Sequence, residues 1–170
     1  MMVWVVGIAA CLTQMVALQS HTRAGLLRAV SIALGLWSIH FAMLEAYETS
    51  AILLVGVAYN LGVAARPRRW VAALAMCLYL TGALVAMSLS GWVVAIGSTF
   101  FVVGGLMKDV MWVRSFFLAG HASFGFNGAI VGSWVAIANE TLMSAANLRA
   151  MHRDRKRRRV LAPQNLNTHP

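Results

Sequence analysis

Charge is scarce in this sequence. Of 170 residues only 11% are charged and five are Asp or Glu, whereas 60% are hydrophobic, and mean hydropathy is +0.72. Soluble domains carry about 25% charged residues, so the charges here are too few to cover a water-facing surface of this size. An ordinary soluble enzyme is excluded. Disorder is excluded for the opposite reason, since it needs low hydrophobicity and high charge. Cysteine is limited to Cys11 and Cys77, each alone in an apolar stretch, with no CxxC and no His/Cys group at metal-ligand spacing. Neither a disulfide nor a metal nor a cofactor is expected. Proline occurs only as Pro67, Pro163 and Pro170, none inside an apolar run. No GxxxxGK[ST] motif is present to cradle a phosphate.

What the chain does have is long apolar runs. A bilayer core of about 30 Å takes roughly 17–25 apolar residues per helix. Seven runs qualify, near Met2–Leu18, Leu27–Leu44, Thr49–Ala65, Trp70–Met87, Gly91–Met107, Met111–Ile130 and Gly132–Arg149. The stretch from Trp70 to Met107 is free of charge and too long for one helix, and Ser88-Leu-Ser-Gly91 supplies the turn that divides it. The first run lacks the basic flank and small-residue cleavage site of a signal peptide, and is read as a helix.

The basic residues orient these spans. All 14 Lys and Arg fall in alternate connections or after the last span: Arg23 and Arg28, then Arg66, Arg68 and Arg69, then Lys108 and Arg114, then Arg149 to Arg159. With seven spans those four regions share one face, and the positive-inside rule makes it cytoplasmic. The N-terminus is expected outside and the C-terminus in the cytoplasm. Trp4, Trp92 and Trp134 then mark outer interfaces, and Trp70 and Trp112 inner ones.

A weak internal repeat runs through the chain. Trp4-Val-Val-Gly-Ile8 opens the first span and Trp92-Val-Val-Ala-Ile96 the fifth, 88 residues later; His40 matches His121 at 81 and Asn60 matches Asn147 at 87. The fold expected is all-α: a polytopic membrane domain over residues 1–151 with seven transmembrane helices. Two parallel three-helix repeats, about residues 2–66 and 91–149, are joined by an inverting linker helix at about 70–87. A basic tail, residues 152–170, is expected to be disordered.

His40-Phe41 followed by Leu44 and Tyr47 resembles the first-half pattern of the YgjV family of small bacterial inner-membrane proteins. Val110-Met111-Trp112 with His121 resembles its second half, as do Glu140, Asn147 and Arg149. The resemblance covers most of spans two, three, six and seven, and implies a location in the bacterial inner membrane without an assigned activity. The layout is also similar to that of SWEET sugar carriers and PnuC vitamin carriers. SWEET carriers bend their helices at prolines and carry a PQ-loop motif; this chain has neither, which weakens a sugar-carrier assignment.

Ionisable groups at membrane depth are expensive and often mark a pathway. His40, Asn60, His121, Glu140 and Asn147 are the candidate substrate-binding residues, expected to line a midplane polar cavity. Ser133, Glu140, Ser144 and Asn147 follow helical spacing down one face. Trp37, Tyr59 and Tyr79 are further candidate lining, although aromatic packing explains them equally. Interhelical hydrogen bonding, worth about 0.6–2 kcal/mol per bond in membranes, accounts for the asparagines and histidines without a ligand. Glu140 is the strongest functional candidate, because burying a carboxylate costs more than burying an amide, and it could exchange a proton.

The basic cluster His152-Arg-Asp-Arg-Lys-Arg-Arg-Arg159 is expected to meet anionic lipid, at about 1 kcal/mol per residue, and not nucleic acid. The function expected is an integral inner-membrane carrier for a small polar metabolite. The alternative is a membrane subunit, structural or regulatory, that moves nothing. An enzyme is not expected. Substrate and oligomeric state are not written in the sequence.

Overall fold

The computed structural model describes residues 2–17, 23–64, 68–107 and 109–161. Seven α-helices, and no strand among the described residues, follow one another: α1 (Met2–Ala17), α2 (Arg23–Met43), α3 (Tyr47–Ala64), α4 (Arg69–Ala86), α5 (Leu89–Leu106), α6 (Val110–Ile130) and α7 (Trp134–Leu161). Each expected apolar run lies within one helix, give or take a few residues. By length and composition α3, α4 and α5 suffice to cross a bilayer, while α1 and the 27–43 part of α2 are apolar but shorter. The surface is rich in large apolar side chains, among them Val5, Leu12, Leu54, Leu84, Val85 and Phe126, as a lipid-facing wall requires.

Helix ends are fixed locally. Ser88 caps α5 by accepting the Gly91 N–H at 3.0 Å, and Asp109 caps α6 by accepting that of Met111 at 2.7 Å. Each satisfies a backbone donor that the first turn leaves unpaired. The charge-free stretch breaks where Met87 turns left-handed at φ 47°. Between α2 and α3 the chain reverses through Glu45 at φ 60°, with the Ala46 N–H donating to Phe41 O at 3.0 Å. Between α6 and α7 it reverses through Gly132 at φ 69°, with the Ser133 N–H donating to Gly128 O at 2.8 Å.

These two turns stand 87 residues apart, and so do helix starts: Met2 and Leu89, Arg23 and Val110, Tyr47 and Trp134. At that offset His40 corresponds in position to Asn127 rather than to His121.

Packing closes six helices into a ring. α1 lies against α2, α2 against α3, α3 against α5, α5 against α6, α6 against α7, and α7 against α1. α4 stands outside, against α3 and α5 only. Trp37, Phe41, Tyr79, Val94 and Phe124 share the apolar core. α5 and α6 approach so closely that a Cβ on Gly104 would lie 2.9 Å from Phe117, and one on Gly97 2.8 Å from Ser123.

One expectation about the tail changes. α7 runs on to Leu161, so residues 152–161 are helical where disorder was expected. Most residues there are good helix formers, and an Arg114–Asp154 ion pair at 3.0 Å ties the extension to α6. Residues 162–170 lie outside the described residues.

Candidate functional site

The five expected site residues fall in four places, with only His121 and Glu140 together. His40, in the last turn of α2, is 2% exposed. Its Nδ1 lies 3.0 Å from Val3 O and its Nε2 2.7 Å from Ser133 Oγ. A carbonyl can only accept, so Nδ1–H donates to Val3; in the neutral ring Nε2 then accepts the Ser133 hydroxyl. Ser133 Oγ in turn accepts the Ala136 N–H at 3.2 Å. His40 thus joins α1, α2 and the start of α7, and both ring nitrogens are satisfied. It borders a cavity of about 180 Å³ with Val3, Trp4, Leu44, Gly132 and Ser133.

His121 and Glu140 come together deeper in the ring. His121 Nδ1 and Glu140 Oε2 are 2.5 Å apart, with side chains 10% and 13% exposed. The other carboxylate oxygen accepts Asn139 Nδ2–H at 2.9 Å. Asn139 Nδ2 also reaches Gln14 Oε1 at 3.3 Å, which accepts the Trp37 indole N–H at 2.9 Å. A continuous polar chain therefore runs from α6 through α7 and α1 to α2. Trp37 packs edge-on against His40 with ring centroids 5.3 Å apart, so the two histidines sit at opposite ends of one assembly.

Asn147 and Asn60 are elsewhere. Asn147 Nδ2 donates to Arg114 O at 2.7 Å, and its Oδ1 accepts from Arg114 Nη1 at 3.5 Å. It belongs to the Arg114–Asp154 latch that binds α6 to the extended α7. Asn60 is buried on α3; Tyr79 is also buried and Tyr59 half-buried. The Ser133–Glu140–Ser144–Asn147 stripe is real as a helix face, but its members meet different partners: Ser133 meets His40, Glu140 meets His121, and Asn147 meets Arg114.

Sequence reasoning missed a third group. Asn127 Nδ2 donates to Thr49 Oγ1 at 3.3 Å, Thr49 Oγ1 lies 3.1 Å from Ser90 Oγ, and Ser90 Oγ donates to Asn127 Oδ1 at 2.7 Å. With Thr49 donating to Ser90, the three form a closed cycle joining α3, α5 and α6. Nearby Ser88 Oγ donates to Glu48 Oε1 at 3.0 Å. Gln14, Asn127 and Asn139 were visible as amides inside apolar runs, and that was the signal available for them.

An apolar groove of about 320 Å³ follows the α1–α7 seam, lined by Trp4, Ile8, Cys11, Leu12, Trp134, Val135 and Ala138. Lipid-facing apolar helices closed around buried, paired ionisable groups are what a membrane interior demands. The sequence profile of a family of bacterial inner membrane proteins, YgjV, matches residues 1–158. The chain belongs to the YgjV family. That places it in the bacterial inner membrane, and its apolar helices fit a YgjV protein that crosses the membrane more than once. No curated protein and no solved structure matches the chain. The YgjV assignment covers every polar group described above.

Proposed function

We propose that this YgjV protein is a carrier for a small polar solute, built as seven transmembrane spans in two parallel three-helix units joined by α4. The constant 87-residue offset supports the repeat. So does the packing: exchanging α1, α2 and α3 with α5, α6 and α7 maps the ring of contacts onto itself. The orientation proposed has α1 starting outside and the α7 extension in the cytoplasm, against anionic lipid. Exposed tryptophans Trp4, Trp92 and Trp134 at one level and Trp70 and Trp112 at the other suit that placement.

The observation that carries the reading is the buried Gln14–Asn139–Glu140–His121 chain, which spans both units and contains a carboxylate. Carriers of this layout work by rocking one unit against the other around a midplane site. Three links between the units, His40–Ser133, Thr49–Ser90 and Glu48–Ser88, lie in the half of the bundle that holds the turns at Glu45, Ser88 and Gly132. The arrangement therefore suits a state closed to the outside, with Glu140 holding or releasing a proton as the units move. Uptake of labelled metabolite pools into proteoliposomes at a series of pH values tests this. Glu140→Gln should keep the fold and abolish the pH dependence of uptake, whereas uptake absent at every pH in the unaltered protein would end the carrier reading.

A second reading has its own support. His40, His121 and Glu140 all have partners, and the cavity beside His40 holds only about 180 Å³, which suits a non-transporting subunit whose polar groups hold helices together. No catalytic role is proposed.

A further inference from the structure

The hydrogen-bond directions in the buried chain are forced. An indole N–H can only donate, so Gln14 must present Oε1 to Trp37, at 2.9 Å. That oxygen and Glu140 Oε1 both face the Asn139 amide, at 3.3 and 2.9 Å. Asn139 must therefore turn Nδ2 toward them, since Oδ1 there would meet two acceptors. Its two N–H donors are thereby used. Asn139 Oδ1 is left fully buried with no donor among the described residues, although the side chain is 0% exposed. Such an acceptor, deprived of water and of a partner, is costly to leave unmade.

The inventory around it is lopsided. Gln14 Oε1 already accepts twice. The Glu140 carboxylate offers about four acceptor sites, of which one bond from Asn139 and one from His121 are made. The buried atom left without a partner, Asn139 Oδ1, is thus an oxygen acceptor next in sequence to a carboxylate with spare lone pairs. Such a site takes a ligand that donates hydrogen bonds and carries positive charge, and rejects an anion.

The geometry points to a binding seat for a primary ammonium group, formed by Asn139 Oδ1 and the Glu140 carboxylate at the α1–α7 seam. An ammonium head has three N–H donors, enough to engage Asn139 Oδ1 and spare carboxylate lone pairs together. The apolar groove of about 320 Å³ along the same seam is lined by Ala138, the residue before Asn139, but not by Asn139 or Glu140 themselves, so a short apolar body attached to the head would occupy that groove only once the seam opens to admit the head. The proposal rests on reading this network as the carrier's binding site, and it names the class of solute: small primary amines.

The full-length protein in nanodiscs of phosphatidylethanolamine and phosphatidylglycerol is titrated with methylammonium chloride, while tryptophan fluorescence follows thermal unfolding. Tetramethylammonium chloride and sodium chloride at matched ionic strength are the controls, because they carry the charge without N–H donors. A saturable rise in Tm is expected with methylammonium alone. Asn139→Leu should weaken that binding by at least about tenfold, as expected for the loss of one hydrogen bond to a charged group. The comparison of cations on the unaltered protein needs no variant, so a poorly folding Asn139→Leu leaves the test intact. No saturable shift, an equal shift with tetramethylammonium, or unchanged affinity in folded Asn139→Leu overturns the seat. If methylammonium binds but no solute is taken up at any pH, the carrier reading falls and the seat stands. If uptake depends on Glu140 and methylammonium does not bind, the seat alone falls.

Discussion

His40 and Asn127 stand at the same place in two matching helices, each buried near the end of a 21-residue helix that leads into a left-handed turn. His40 reaches α1 at Val3 and α7 at Ser133; Asn127 reaches α5 at Ser90 and α3 at Thr49. Val3 and Ser90 are themselves 87 positions apart. One post is filled by an imidazole and the other by an amide, yet the job is the same: to tie a helix to two neighbours, one of which lies in the other of the two proposed units.

Asn127→Ala should therefore destabilise the bundle by roughly 1–3 kcal/mol, because Thr49 and Ser90 are buried and lose their partner. Unfolding by SDS titration in mixed micelles measures this. An effect near zero would mean that the two hydroxyls satisfy each other.

Gly7 makes room for His40. A Cβ there would lie 2.8 Å from His40 Nδ1 and 2.9 Å from Cε1, contacts that only displacement of the ring relieves. Gly7→Ala is expected to cost about 1–3 kcal/mol as an overpacked site. Gly35→Ala, where nothing lies within 4 Å of the new Cβ, should be neutral or stabilising, by up to about 1 kcal/mol from helix propensity. The pair of melting curves separates packing from propensity.

Glu45 occupies a left-handed conformation at φ 60° that Gly132 adopts at the corresponding turn at φ 69°. The strain on a non-glycine residue there is about 1–2 kcal/mol, offset in a glycine variant by about 0.4–1 kcal/mol of chain entropy. Glu45→Gly should raise stability by up to about 1 kcal/mol. A clear fall in Tm would show that the Glu45 side chain contributes more than its backbone costs.

The Arg114–Asp154 pair is partly exposed, at 30% and 27%, so breaking it should cost no more than about 1 kcal/mol globally. Its effect is local. Asp154→Asn is expected to speed hydrogen exchange in residues 152–161 while leaving α1 to α6 unchanged. Loosening of α1 in the same experiment would assign the latch a wider role.

Reporter fusions check the orientation. Fusions after Ser88 and after Gly128 are expected to read periplasmic, and fusions after Arg69 and after Arg159 cytoplasmic. A cytoplasmic signal after Ser88 would place two basic regions on opposite faces and end the seven-span arrangement.

The helices were legible because lipid imposes a length and an apolar composition that few other environments do, and Ser88 announced the break in the charge-free run. His121 and Glu140, which pair, were both among the residues singled out as ionisable groups at membrane depth, but the rest of the network was not readable. Gln14 and Asn139 are 125 residues apart, and no local pattern links an amide in one apolar run with an amide in another. Matching like with like also misled: pairing His40 with His121 gave an offset of 81, whereas the starts of α1, α2 and α3 precede those of α5, α6 and α7 by 87 each, an offset that pairs His40 with Asn127, a different side chain. The helical extension beyond Arg149 was hidden by its charge, which reads as a solvated tail until Asp154 finds Arg114.

The α1–α7 closure has a consequence for how the protein is made. His40 waits for Ser133, 93 residues downstream, and Gln14 for Asn139, 125 residues downstream. Ribosomes add about 5–20 residues per second, so Gln14 enters the membrane roughly 6–25 s before its α7 partner exists. Until then Gln14 and His40 lack the partners at α7 that complete their hydrogen bonds, and α1, α2, α3, α5 and α6 form an open arc with α4 outside it. A chain halted before α7 thus carries unmet polar groups inside an apolar arc, at a cost that the last described helix removes.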